Sequence, residues 1–269
     1  KITISAALVP CEYRDCKINL LDTPGYADFY YEVCGALQVT DSMLLMFAAT
    51  AGVEVQTQII WEENPDIPKI LFINKMDREN ADFNTVLTAI KSTFSDNIVP
   101  LQLPIGAEEN FKGVVDLLKM KALIFEPGTG KISEEDIPAD MMDDVEMYKM
   151  EIIEAAAEAN DELLTRYLEG EELSDEEILQ GVKEAAGAGS AVFVFCGSAL
   201  KNIGVQPLMD FIVDCSPTPY QNRLVADQDI DSLPLSAQVF KTIADPYIGR
   251  LNLFRIFNGK MKSDSVVYN

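Results

Sequence analysis

Two strings hold the residue types that could do chemistry: Asp22-Thr23-Pro24-Gly25 and Asn74-Lys75-Met76-Asp77. Each follows a largely apolar run that reads as a buried strand, Ile18–Leu21 and Ile70–Ile73. Asp22, at a strand's C-terminal end, stands where an open α/β sheet places its ligand groups. Its carboxylate suits magnesium, held through water because this ion sheds its hydration shell reluctantly. Gly25 leaves room for a phosphate oxygen to reach its backbone N–H. In the second string Asp77 carries the specificity, with Asn74 and Lys75 completing the loop. A carboxylate accepts from both the ring N–H and the exocyclic amine of guanine. Adenine lacks that donor pair and would leave a buried charge unpaired. The Lys75 stem can lie along the base. Taken singly, each string is also an ordinary turn of Asp, Pro, Gly and Asn. In this order, about fifty residues apart, they describe a γ-phosphate and magnesium switch followed by a guanine-reading loop.

The elements that must hold these strings follow from periodicity. Lys17–Leu21, Met43–Ala48 and Ile70–Ile73 read as strands; Tyr30–Val39, Gln56–Glu63 and Phe83–Phe94 read as the helices between them. Such alternation predicts a parallel, doubly wound α/β sheet with helices on both faces. Pro100 to Glu126 gives short strands around turns, and Glu134 to Ala186 turns helical. Met142–Ala159 and Asp161–Leu168 carry apolar positions three and four apart, and Ser174-Asp175-Glu176-Glu177 is a capping box. Ala191–Cys196 returns to the buried-strand pattern, followed by a helix over Val205–Asp214. Gly197-Ser198-Ala199, directly after that strand, is placed to meet a base edge with backbone N–H groups. Ser198 and Ala199 are weak signals alone and gain force from the resumed strand. Leu235–Ile243 and Arg250–Phe257 then begin an all-β unit that stops too soon to close a barrel. The expected divisions are a first α/β segment (1–100), an insertion (101–188), a closing segment (189–220), a linker (221–233) and the start of a β-barrel (234–269).

Charge and composition narrow the class. Of the net −23, Glu126 to Glu184 supplies −16, from twenty Asp/Glu against four Lys/Arg. Such a surface repels phosphate backbones and excludes nucleic-acid binding by counterion release there. It is either a solvated helical face or a docking face for a basic protein. No apolar run reaches the roughly 18–20 residues that span a bilayer, and no signal-peptide pattern opens the chain. Five cysteines without a CxxC pair, and no histidine, argue against a disulfide framework and a zinc site. A reduced, cytoplasmic protein is expected. The GxxxxGK[ST] loop that holds inner phosphates is absent. Gly128-Thr129-Gly130-Lys131 lacks its spacing and preceding strand, so the chain reads as an N-terminally truncated fragment.

Longer stretches resemble the elongation factor G family of ribosomal GTPases. Ile2 to Ala7 is similar to the end of that family's first switch, Asp22 to Phe29 to its second, and Asn74 to Arg78 to its guanine loop. Val99 to Asp116, Tyr167 to Leu173, Cys196 to Pro207 and Asp245 to Phe254 extend the likeness over nearly the whole chain. The resemblance implies a P-loop-GTPase-type sheet with an acidic α+β insertion, binding GTP or GDP with magnesium and hydrolysing GTP on the ribosome to drive translocation. It implies that Thr3 and Asp22 serve the metal, that Asp22 and Gly25 sense the γ-phosphate, and that Asn74, Lys75, Asp77, Ser198 and Ala199 hold guanine. It also implies a monomer facing the sarcin–ricin loop and the stalk protein of the large subunit. One position departs: where the family carries histidine after Asp-Thr-Pro-Gly, this chain has Tyr26. A phenol with a pKa near 10 stays neutral where histidine can become cationic. A guanine-nucleotide-switched ribosome-binding adaptor or protection factor with weak hydrolysis therefore stands beside the translocase reading.

Overall fold

The structure, a computed structural model, describes residues 2–94, 97–126, 129, 131–219, 232–247 and 249–268. The chain forms two compact units, Lys1–Asp41 with Pro217–Asn269, and Ser42–Ser216. The first unit opens on β1 (Ala7–Tyr13) and β2 (Cys16–Asp22), paired antiparallel from Ala7↔Asp22 to Tyr13↔Cys16. Arg14 and Asp15 both sit at positive φ, 47° and 60°. That is the two-residue turn whose twist matches the flanking strands, and it fixes the register. The expected strand at Ile18–Leu21 therefore exists, but it pairs only with β1 among the described residues, and it is not buried: Leu20 is 38% exposed. Its apolar residues alone cannot say which strand they will meet. Helix α1 (Tyr30–Leu37) follows and buries Val33 and Ala36.

The second unit is built on β3 (Met43–Ala48), α2 (Val55–Glu63), β4 (Lys69–Asn74), α3 (Phe83–Thr93) and β5 (Ile98–Pro100). After the insertion come β10 (Val192–Cys196) and α7 (Val205–Cys215). The sheet runs β3-β4-β10-β5 with every pair parallel. All five residues of β10 and the first five of β4 are buried, as parallel strands covered on both faces must be. Helix α3 buries Phe83, Val86, Leu87 and Ile90, one stripe at helical spacing, and starts on the Asp82 carboxylate, which accepts from Thr85 N–H at 3.0 Å. The strand resumed by Ala191–Cys196 thus lies at the centre of the sheet, between strands made much earlier in the chain.

The insertion carries an antiparallel sheet, β6 (Gln102–Ile105), β7 (Gly113–Asp116), β8 (Lys121–Phe125) and β9 (Ile132–Glu135), in that spatial order. Three helices follow: α4 (Met142–Glu158), α5 (Asp161–Leu168) and α6 (Asp175–Ala188). Both halves of the Ser174/Glu177 capping box form. Gly128 and Gly130 of the sequence's superficial glycine string lie outside the described residues, as does most of the expected linker.

The last elements, β11 (Ser236–Asp245) and β12 (Gly249–Asn258), pair antiparallel and belong to the first unit. There β11 lies against α1 so closely that a Cβ on Gly35 would stand 2.8 Å from the Phe240 carbonyl oxygen. Lys241 joins three segments: its ammonium donates to the Ser5 hydroxyl, to the Ala6 carbonyl, and at 3.0 Å to Glu32, which also accepts from Ala6 N–H at 2.8 Å. Burial works against the charge on Glu32, but these donors outweigh it and hold its carboxyl below the usual range. Arg255 adds bonds of 2.6 Å to the Val39 carbonyl and to Asp41.

Helix packing in the second unit yields a test. A Cβ on Gly181 of α6 would lie 2.4 Å from the Ala156 carbonyl of α4. Gly181→Ala gains about 1 kcal/mol of helix propensity, yet overpacking against backbone, at the upper end of about 1–3 kcal/mol, should exceed it and leave the variant up to about 2 kcal/mol less stable. Denaturant unfolding reads the sign.

Candidate functional site

Register brings together the two loops that carry Asn74–Asp77 and Gly197–Ala199. In the parallel β4–β10 pair, Ile73 faces Cys196, so both strands end level and their following loops leave side by side. Three contacts join the loops. Gly197 N–H donates to the Ile73 carbonyl at 3.0 Å, Met76 N–H donates to the Gly197 carbonyl at 3.1 Å, and Ala199 N–H donates to Asn74 Oδ1 at 3.0 Å. The same Oδ1 accepts from Lys75 N–H at 2.8 Å. Asn74 is thus the clamp that ties residues 125 positions apart.

Backbone shape at this site is unusual. Lys75 sits at φ 66°, a conformation rare outside glycine, which turns the chain sharply between the buried Ile73 and Met76. Gly197 is confined rather than flexible: a Cβ there would meet the Ile203 carbonyl oxygen at 2.1 Å and Phe72 Cζ at 2.8 Å. Ser198 is buried and exchanges both backbone hydrogen bonds with Ile203 at 3.0 Å, while its hydroxyl accepts from Lys201 N–H at 3.3 Å. Ala199 is exposed at the rim. The Asp77 side chain is 7% exposed, with Lys201 Nζ 4.0 Å from its Oδ2. So Asn74, Lys75, Asp77, Ser198 and Ala199 form one cluster.

Two neighbours escaped the sequence reading. Lys201 balances Asp77 from the second loop. Glu108 accepts from Asn80 N–H at 2.6 Å and donates its own N–H to the Met76 carbonyl at 3.1 Å, bracing the first loop from the start of the insertion. Lys201, three residues past Ser198, was within reach of a closer reading. Glu108 carried no local signal, because its partners lie about thirty residues earlier.

The other predicted residues lie in the first unit. Asp22 ends β2, exposed. Pro24 is buried, whereas Gly25 is exposed and a Cβ there would meet nothing within 4 Å. Tyr26 is 59% exposed and its carbonyl accepts from Phe29 N–H at 3.0 Å, opening a single 3-10 turn. Thr3 is exposed ahead of β1, in the segment that Lys241 holds at Ser5 and Ala6. Among the described residues no group of three or more His, Cys, Asp or Glu could hold a metal. Asp22 and Thr3 fit magnesium only as two oxygen donors beside water and phosphate.

A parallel sheet whose central strands end in an Asn-Lys-Met-Asp loop and a Ser-Ala loop defines a guanine-nucleotide-binding domain. Its kind is given by the family model of the elongation factor Tu GTP binding domain, which matches residues 1–218: the chain belongs to that family. Within it the chain is similar to elongation factor G. The factor of Thermotoga sp. (strain RQ2) is 41% identical over 282 positions that cover 100% of this chain and 41% of that protein. That of Thermotoga maritima is 40% identical over the same span. A crystal structure from Thermus thermophilus superposes with a TM-score of 0.87 at 32% identity, covering 97% of this chain and 38% of that one. The chain thus spans about two fifths of the relatives it matches.

The clamp can be tested directly. Asn74→Ala leaves two N–H groups without their acceptor, which should loosen the Ser198–Ile203 loop by about 1–2 kcal/mol. Amide exchange at Ala199 should quicken by roughly tenfold in that variant, whereas Asn74→Asp, which keeps an acceptor oxygen, should leave it slow.

Proposed function

We propose that the intact protein is a ribosome-dependent GTPase of the elongation factor G type, and that this chain supplies its guanine-binding site. One observation carries the reading: Asp77 stands almost buried between two loops that Asn74 locks together. A carboxylate so placed needs donors, and the paired N–H groups of guanine supply them better than the 4.0 Å contact with Lys201. Ala199 and Lys75 flank the base, with Ser198 shaping the second loop. Asp22 and Thr3 serve magnesium, and Gly25 senses the γ-phosphate through its N–H. Residues 1–100 and 189–220 make the nucleotide domain, 101–188 its insertion, and 234–269 the opening of a barrel domain.

The remaining parts of the proposal concern place and partner. No described helix is long and apolar enough to cross a membrane; the cytoplasmic site of action follows from the proposed ribosomal partner. The acidic helices α4 to α6 offer a face for the basic stalk protein, and the nucleotide domain faces the sarcin–ricin loop. Tyr26 favours the second reading, a switch with weak hydrolysis. Its exposed phenol can orient a water but brings no positive charge to a transition state stabilised electrostatically.

Base choice tests the site. Asp77→Asn exchanges an oxygen that accepts for an amide group that donates, matching the carbonyl at position 2 of xanthine. In the intact protein the preference should swing from GTP toward XTP by at least about tenfold in a competitive titration. An unchanged preference would make Asp77 a turn residue.

Position 26 separates the two functional readings. With the ribosome present, Tyr26→His should raise phosphate release within the roughly 10²–10⁴-fold range typical of general acid–base groups, with GTP affinity unmoved. Tyr26→Phe isolates the hydroxyl: a rate equal to that of Tyr26 marks a slow switch, and a lost rate marks a phenol that positions water.

A further inference from the structure

The loop that carries Asp77 is held on both sides of that residue, and Glu108 makes both contacts. Its backbone N–H donates to the carbonyl of Met76, the residue before Asp77, at 3.1 Å. Its carboxylate accepts from the N–H of Asn80, just beyond Asp77, at 2.6 Å. Met76 N–H is itself taken by the Gly197 carbonyl at 3.1 Å, so the chain entering Asp77 is fixed through both of its neighbouring peptide groups. The turn between is tight. Lys75 at φ 66° and Asn80 at φ 64° bend it, and Arg78 N–H donates to the Lys75 carbonyl at 3.0 Å. Lys75, Arg78 and Asn80 are exposed, so hydrogen bonds rather than burial must set the shape of this turn.

Glu108 is firmly placed in its own right. It sits at φ 53°, a conformation that a residue other than glycine keeps where its surroundings demand it. Those surroundings belong to the insertion's sheet. Phe111 N–H donates to the Glu108 carbonyl and Lys112 N–H to the Ile105 carbonyl, both at 3.1 Å, and Ile105 and Phe111 are each 3% exposed. Gly106 has to lack a side chain, because a Cβ there would lie 2.2 Å from the Asn110 carbonyl oxygen. The carboxylate therefore reaches Asn80 from a turn anchored in a buried core, and a carboxylate acceptor makes a stronger bond than a neutral one.

We propose that Glu108 is a specificity-determining positioning residue for guanine, which rests on the reading that Asp77 accepts from the base. Hydrogen bonds weaken steeply as their angle closes, so Asp77 can take two donors at once only from a fixed backbone position. Glu108 holds that position from either side, and the insertion thereby supplies part of the base-reading geometry. Without its carboxylate the turn gains freedom that nucleotide binding must then remove. A small rotation of the Asp77 carboxylate can follow one donor, but not two. The contact with the exocyclic amine of guanine is the one that suffers.

Calorimetric titration of the intact protein with GDP and with inosine diphosphate (IDP), which lacks that amine, reads the effect. Glu108→Ala should weaken GDP about fivefold, the worth of roughly one hydrogen bond, and IDP about twofold or less. The preference for GDP then narrows, whereas a general loosening of the fold would weaken both nucleotides alike. Glu108→Gln keeps an oxygen at the same reach and should recover most of the preference. Glu109→Ala, which removes an exposed neighbouring charge, should keep all of it. If Glu108→Ala fails to fold, Glu108→Gly decides, since it removes the same acceptor while relieving the positive φ. Equal binding of GDP and IDP by the native protein would overturn the Asp77 reading and this proposal with it. A native preference that survives in the variant lacking the carboxylate would overturn the role of Glu108 alone. So would an equal loss in Glu108→Gln or in Glu109→Ala, which would assign the effect to charge.

Discussion

The level ending of two parallel strands is the constraint on which the candidate site rests. Because β4 and β10 pair in register and stop together, the loops after Asn74 and Cys196 emerge side by side, although more than a hundred residues separate them. Burial makes this register hard to slip, since nearly every side chain of both strands is inside. The carboxamide of Asn74 then converts adjacency into a fixed geometry by accepting one N–H from each loop. Removing the side chain at Gly197 is the remaining condition, because the Ile203 carbonyl occupies the space a Cβ would need.

The rest of the molecule divides between bracing and charge. In the second unit, Glu108 ties the start of the insertion to the first loop. In the first unit, Lys241 plays a similar part: one ammonium gathers Ser5, Ala6 and Glu32, so the segment carrying Thr3, the helix after Tyr26 and strand β11 share one buried ion pair. The excess negative charge of the insertion is mostly left to solvent. Its internal pairs, such as Arg166 with Glu171 and Glu177, are partly exposed to solvent and contribute little.

Much of this was legible in the sequence where local chemistry decides structure. β3 and α5 have the expected bounds, and the capping box forms as read, because hydrophobic period and cap residues act over a few positions. That the five residues Asn74, Lys75, Asp77, Ser198 and Ala199 come together was legible too, since motif and resumed strand together imply a pair of loops. What escaped is non-local or conformational. The hairpin at Arg14-Asp15 lacks the Asn-Gly signature and places two ordinary residues at positive φ, so Ile18–Leu21 looked like a buried strand. The acceptor roles of Asn74 toward Ala199 and of Glu108 toward Asn80 depend on partners set by the whole fold, which no window of sequence contains.

The central claim is that Asp77 reads guanine through two N–H donors at once, and the nucleotide itself can be edited to test it. Calorimetric titration of the intact protein with GDP and with IDP compares bases that differ only by the exocyclic amine. A hydrogen bond to a charged group is worth about 1.5–3 kcal/mol, so IDP should bind about 10–100-fold more weakly than GDP. Equal affinities would contradict the account, leaving the loops a structural turn and the site of base recognition elsewhere.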